Sequence, residues 1–244
     1  MPAPQELLEL VARYEANRDD YRKATFNETQ ARIEFIDRMF ELIGWDITNK
    51  KGYSDAYKEV VHEDRVRVEG KSKAPDYAFR IGGLRKFLLE AKKPSINIST
   101  DTAAAFQIRR YAWSANLSLC VLTNFDELVI YDATVKPART DTARKARAKR
   151  YSYTEYAEAW DELCDLLSPE GIQRGNFDKF VAGAGARRGS AAVDGQFLED
   201  IESWRLALAV DIAKNNRSLG VRELNYCVQT LIDRIVFLRI AEDR

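Results

Sequence analysis

Two short apolar runs, PDYAFRI at 75–81 and RKFLLEAK at 85–92, flank the pair Gly82-Gly83. Glycine adopts positive φ without steric cost, so two of them between strand-forming runs predict a tight β-hairpin. That hairpin constrains the rest of the chain, because its open end carries charge. Asp76 lies at the start of the first strand, and Glu90 and Lys92 lie at the end of the second. Residues two apart on a strand share a face, so Glu90 and Lys92 point the same way. Register decides whether Asp76 joins them. A two-residue turn with unbroken pairing sets Pro75 opposite Glu90 and sends Asp76 to the other face. A three-residue loop, or one bulge, pairs Asp76 with Glu90.

The segments around the hairpin alternate between helical and strand periodicity. Leu7, Leu8, Leu10 and Val11 predict an amphipathic helix over 5–16. Asn27 and Gln30 have capping-box spacing ahead of Ile33, Ile36, Met39, Phe40 and Ile43, and Gly44 supplies a C-terminal stop. Residues 46–57 read as a loop, and 58–69 as a strand through Val60, Val66 and Val68. A helix over 102–114 takes Ser99 or Thr100 as its cap, and 117–123 and 127–131 read as two more strands. Helices follow at about 154–167, 170–180, 194–214 and 220–242, with a small-residue linker at 181–193. The expected organisation is α/β over 1–150 and a helical connector over 151–244. The last helix carries Ile235, Val236, Leu238 and Ile240 and has no stop signal, which suggests a longer parent protein or a partner over that face.

Several chemistries are poorly supplied. The only histidine, His62, makes a histidine-rich zinc site untenable, and no G-x-S-x-G elbow or Gly-rich phosphate loop is present. Cys120, Cys164 and Cys227 lie far apart in apolar stretches and read as buried thiols in a reducing compartment. No apolar run approaches membrane-spanning length, and the N-terminal MPAPQELLEL lacks the pattern of a signal peptide, so the expected location is the cytoplasm. Lys plus Arg and Asp plus Glu balance at 38 each, so any attraction to polyanions must be local. One patch qualifies: Lys136, Arg139, Arg144, Lys145, Arg147, Lys149 and Arg150 surround the single acid Asp141. It reads either as a DNA-phosphate contact surface or as a solvated loop.

Carboxylates and lysine are therefore the available catalytic groups. Two carboxylates meeting across a strand pair suit a hard cation such as Mg²⁺, which lowers the pKa of water, and a nearby ammonium can stabilise developing negative charge. An Asp followed by E-x-K also occurs as an ordinary salt-bridged hairpin. Its position directly after the apolar run of a buried strand favours a site.

Beyond the bare motif, the chain resembles the PD-(D/E)XK nuclease superfamily. It is most similar to the N-terminal nuclease domain of type IIG restriction-modification enzymes and to the nuclease domain of the type I restriction subunit. The stretches that carry the resemblance are NETQARIEFIDRMFELIGWD (27–46), VRVEGKSKAPDYAFRIGG (66–83), KFLLEAKKPS (86–95), AFQIRRYAWS (105–114) and VRELNYCVQTLIDRIVFLRIAEDR. The resemblance implies an αβββαβ core with a mixed sheet. It implies a magnesium-dependent endonuclease acting on double-stranded DNA, with Mn²⁺ as a substitute. Asp76 and Glu90 would bind the metal and Lys92 would be the catalytic lysine, with the Ala91 carbonyl as a further oxygen ligand. A supporting carboxylate on the first helix would be Glu34, which alternatively pairs with Arg38. Gln107 and Tyr111 match the family's Q-x-x-x-Y motif, alternatively serving ordinary packing. Methyltransferase and target-recognition domains would lie C-terminal to this chain or act in trans, since it contains neither motif set, and a homodimer is compatible. The competing readings are a non-catalytic DNA-binding or assembly module with the same fold, and a DNA-repair nuclease.

Overall fold

The computed structural model describes residues 2–68, 71–183, 201 and 204–242. Contacts divide the chain into two units, 1–186 and 187–244. The first is built on a six-stranded mixed sheet. In chain order its elements are α1 (Gln5–Ala16), α2 (Arg18–Tyr21), α3 (Glu28–Ala31), a π-helical stretch (Arg32–Ile36) and α4 (Asp37–Ile43). There follow β1 (Val60–His62), β2 (Val66–Val68), β3 (Lys71–Lys73), β4 (Tyr77–Ile81), β5 (Leu84–Ala91), α5 (Thr102–Ser114), β6 (Leu119–Thr123), β7 (Glu127–Asp132) and β8 (Arg147–Ser152). A 3₁₀ turn (Tyr153–Glu155), α6 (Trp160–Leu167), α7 (Pro169–Gln173) and α8 (Asn176–Gly183) complete the unit. The sheet order is β1-β4-β5-β6-β7-β8, with β5 and β6 parallel and the other neighbours antiparallel; β2 and β3 form a separate ribbon. Helix 28–43, strands β1, β4 and β5, helix α5 and strand β6 thus run in the expected αβββαβ order.

The hairpin resolves its register with a bulge. Gly82 and Gly83 take φ of 59° and 81°, as a two-residue turn needs. Pairing runs Ile81 with Leu84 and Arg80 with Arg85, then shifts so that Phe79 faces Phe87 and Tyr77 faces Leu89. Lys86 is the extra residue in β5. Continuing the shifted register sets Asp76 opposite Glu90. The rings of Phe79 and Phe87 stack at 4.2 Å with a 10° interplanar angle, so a cross-strand aromatic pair pins the register on the site side of the bulge.

Two apolar layers sandwich the sheet. Tyr77, Phe79, Phe87, Leu89 and Val121 face a core shared with α1, α4 and α6. Ala78, Leu88, Cys120 and Leu122 face a second core shared with α5 and the β2–β3 ribbon. The alternation of adjacent residues between layers follows from the two-residue strand period.

Several local expectations hold. Asn27 and Gln30 make a reciprocal capping box, and Gly44 ends the helix at φ 115°. Others change. The stretch 58–69 divides between two sheets, because Glu63 takes a left-handed conformation (φ 52°) and Asp64 is drawn to Arg80 and Arg85 at 2.5 and 2.6 Å. Asp101, rather than Ser99 or Thr100, caps α5 by accepting from the Ala104 amide. Of the three free cysteines only Cys120 is fully buried, whereas Cys164 and Cys227 are half-buried.

The sequence places a boundary at 150, but the first unit continues to Ala186. The reason is packing: Trp160, Leu163, Leu166 and Leu167 form an apolar stripe buried in the core, and Leu167 accepts a hydrogen bond from Trp45 Nε1 at 2.7 Å. In the second unit, α9 spans 204–215 and α10 is Val221–Glu242. Ile235 and Leu238 are 50% and 61% exposed, while the side chains of Val236 and Ile240 and most of the 181–193 linker lie outside the described residues. Among the described residues no helix is long and apolar enough to cross a membrane.

Candidate active site

The carboxyl ends of the parallel strands β5 and β6 define one end of the sheet, and the charged groups gather there. Asp76 precedes β4, while Glu90 and Lys92 bracket the end of β5. Asp76 Oδ2 accepts from the Ala91 amide at 2.7 Å, which binds the two hairpin strands side chain to backbone. Lys92 Nζ and Gln107 Nε2 both donate to Glu90 Oε1, at 2.7 and 2.6 Å. The other oxygen, Glu90 Oε2, is buried and among the described residues has no hydrogen-bond partner. Glu90 itself is 5% exposed.

This arrangement sets the electrostatics. Burial first, and the neighbouring Asp76 charge second, push the Glu90 carboxyl up to about 7, although Lys92 opposes both. Burial works against the Lys92 ammonium, but the carboxylates of Glu90, Glu28 and Asp76 outweigh it and hold the group above its ordinary range. Lys92 is therefore a fixed cation beside a carboxyl that titrates near neutrality.

Helix α5 contributes from one face of the sheet. Gln107 and Tyr111 are four residues apart on one side of the helix, with Gln107 reaching Glu90 and Tyr111 feeling its charge. The helix before β1 contributes from the other face. Arg32, in the π-helical stretch, lies 3.4 Å from Asp76 Oδ1, 3.2 Å from the Tyr77 hydroxyl and 3.1 Å from His62 Nδ1, with its guanidinium over the Tyr77 ring at 4.7 Å. A π turn re-aims side chains relative to a regular helix and recurs at functional sites. Tyr77 in turn donates to Asp37 at 2.7 Å, so Arg32 is braced from behind.

The carboxylate that this helix brings to the cluster is Glu28, whose Oε2 lies 3.8 Å from Lys92 Nζ. Burial raises the Glu28 carboxyl, against the pull of Lys92. Glu34 is six residues on, and among the described residues no hydrogen bond or ion pair joins its side chain to Asp76, Glu90 or Lys92. Its backbone carbonyl instead accepts from Arg13 at 2.7 Å. Sequence reading missed Glu28, Arg32 and His62. Helical spacing held a usable signal for two of them, since Glu28 and Arg32 are four apart and share a face.

The basic segment is only partly a surface. Arg147 and Arg150 lie in β8 and are engaged by neighbours: half-buried Arg147 donates to the carbonyls of Ser99 and Ala143 at 2.7 and 3.1 Å, and Arg150, still exposed, pairs with Glu127. Lys149 pairs with Glu162 at 2.7 Å. Lys136, Arg139, Arg144 and Lys145 remain exposed. Asp141 is occupied by the buried Arg109 at 2.9 Å.

The donors present fit a hard divalent cation. An acceptor left buried without a donor costs about 1–3 kcal/mol, and Glu90 Oε2 is such an acceptor beside a second carboxylate, Asp76. Among the described residues no set of three His, Cys, Asp or Glu is arranged to hold a metal. A cation here would therefore keep oxygen ligands from water or substrate, as Mg²⁺ commonly does.

Comparison with known proteins gives three findings. Residues 57–139 match the family described as Type I restriction enzyme R protein N terminus (HSDR_N). The chain is 40% identical over 246 residues to the Type II restriction enzyme and methyltransferase RM.Eco57I of Escherichia coli, a match covering 100% of this chain and 25% of that relative. The chain thus spans about a quarter of the length of the curated relative it matches. Among solved structures it is similar to the type IIG restriction endonuclease BpuSI, with 18% identity and a TM-score of 0.37 over 73% of this chain and 21% of the other.

Proposed function

We propose, from the match of residues 57–139 to the family described as Type I restriction enzyme R protein N terminus, that this chain is the nuclease domain of a larger restriction-modification enzyme. It hydrolyses phosphodiester bonds of double-stranded DNA with Mg²⁺, or Mn²⁺ in its place. The observation that carries the reading is the convergence of Asp76, Glu90 and Lys92 with one buried Glu90 oxygen left unpartnered. The 40% identity to a restriction enzyme and methyltransferase supports the same class, and the remaining length of that relative is consistent with modification and recognition parts beyond this chain.

Asp76 and Glu90, with the Ala91 carbonyl, would hold the cation, which supplies Lewis acidity and a lowered pKa for water. The chain's own groups do the rest. Gln107 fixes the Glu90 carboxylate so that Oε1 faces Lys92 and Oε2 remains open. The Ala91 amide and Arg32 fix the two oxygens of Asp76. Lys92, held cationic, orients the attacking water and opposes the negative charge that builds on the scissile phosphate. Tyr111 flanks the Gln107 side chain and closes the α5 wall.

Incubation of the purified protein with supercoiled plasmid and Mg²⁺ or Mn²⁺ tests the proposal, with EDTA as the control. Nicked or linear product that requires the metal and is lost in Lys92→Ala is expected. Metal-dependent cleavage that persists unchanged in Lys92→Ala overturns the assignment to this site.

A further inference from the structure

A groove runs along α5 beside the site, and we infer that it seats the DNA backbone that flanks the scissile phosphate. The inference rests on the nuclease reading for the identity of the polyanion. Its walls are Lys73, Phe106, Gln107, Arg110, Tyr111 and Arg139, with the exposed first turn of α5 between them.

Three observations support it. The groove is continuous with the site, because Gln107 lines it and also donates to Glu90 Oε1 at 2.6 Å. Its other wall leads there too, since Lys73 ends β3 three residues before Asp76. Next, the charge is one-sided. The chain as a whole has 38 acids against 38 bases, yet among the described residues lining the groove there are three cations and no carboxylate. Finally, two of the cations are held in place by one ring. The Arg110 and Arg139 guanidiniums lie 5.4 and 5.7 Å from the Phe106 centroid, so a single aromatic side chain positions both. Phe106, Gln107 and Arg110 follow helical i, i+3/i+4 spacing and share one face. A preset, planar guanidinium suits bidentate contact with a phosphate and loses little rotamer freedom on binding. The groove joins Arg139, from the basic segment after β7, to Lys73 and Arg110, which lie far from that segment in sequence.

The test is equilibrium binding of a duplex of arbitrary sequence in EDTA, read by fluorescence anisotropy across a salt series. Lys73→Gln, Arg110→Gln and Arg139→Gln are combined in one protein. A control protein carries Arg38→Gln, Lys50→Gln and Arg174→Gln, which changes net charge equally but away from the groove. Each lost phosphate contact lowers the log–log salt slope by about 0.9, so the groove variant should lose about 2.7 and the control almost nothing. A charge-keeping variant, Lys73→Arg with Arg110→Lys and Arg139→Lys, should retain the slope. Equal slopes in the groove and control variants, loss of slope in the charge-keeping variant, or no duplex binding by the unsubstituted protein each overturn the inference. Plasmid cleavage is scored separately. Metal-dependent cleavage with an unaltered groove-variant slope defeats the groove and spares the nuclease reading. Slope loss in the groove variant without any cleavage by the unsubstituted protein does the reverse.

Discussion

Gln107 Nε2 lies 2.6 Å from Glu90 Oε1, the same oxygen that Lys92 contacts at 2.7 Å. A helix side chain thereby decides which oxygen of a strand carboxylate is occupied and which stays open. Gln107→Ala should free the carboxylate to rotate. Loss of a partner that orients a ligand typically costs about 10–100-fold in metal affinity or activity. Mn²⁺ titration by calorimetry, alongside cleavage rates, checks this; unchanged affinity and rate would show that Gln107 serves packing alone.

Lys92 and Asp76 should fail in different ways. Lys92→Ala removes a charge-stabilising group, with an expected rate loss of about 10²–10³ while fold and duplex binding persist. Asp76→Ala removes a proposed ligand and leaves the Ala91 amide without its partner, so metal affinity and thermal stability should both fall. Circular dichroism melts, metal titration and cleavage on both proteins separate the two roles. Ordinary surface ion pairs would instead give stability changes of about 0–1 kcal/mol and leave cleavage alone.

Glu28 and Glu34 make opposite forecasts. Glu28 lies 3.8 Å from the Lys92 ammonium, so Glu28→Gln should reduce cleavage and change its pH profile. Glu34→Gln should leave both close to those of the unsubstituted protein. Cleavage rates measured from pH 6 to 9 decide between them, and a larger loss in Glu34→Gln would reverse the placement.

Glu90 predicts an unusual pH dependence of stability without metal. Its carboxyl rises from 4.5 to about 7 on folding, so between these values the folded protein holds more protons than the unfolded chain. Stability from this group is complete below about pH 4.5 and is lost as pH rises through about 7. The size is on the order of 3 kcal/mol. In EDTA, melting temperatures of the unsubstituted protein relative to Glu90→Gln should decline between pH 5 and 8, and added Mg²⁺ should offset the decline at the alkaline end. Parallel pH curves for the two proteins would contradict it.

Features set within a turn or two of chain were legible in the sequence. The capping box at Asn27 and Gln30, the stop at Gly44 and the hairpin at Gly82-Gly83 depend on φ preferences and on donors a few residues away. Strand spacing named Asp76, Glu90 and Lys92, and the family resemblance added Gln107 and Tyr111; the fold brings these residues together. Only tertiary structure chose between the two hairpin registers, because the bulge at Lys86 is fixed by the stacking of Phe79 on Phe87 and by the sheet on either side. Only tertiary structure preferred Glu28 to Glu34, since the aim of a helix around its axis depends on what it packs against. It also split the basic segment, turning Arg147 and Arg150 toward Ser99 and Glu127 and leaving Arg139 beside Phe106. Whether a charge meets solvent, a carboxylate or a ring depends on segments far away in sequence, and local patterning carries no record of them.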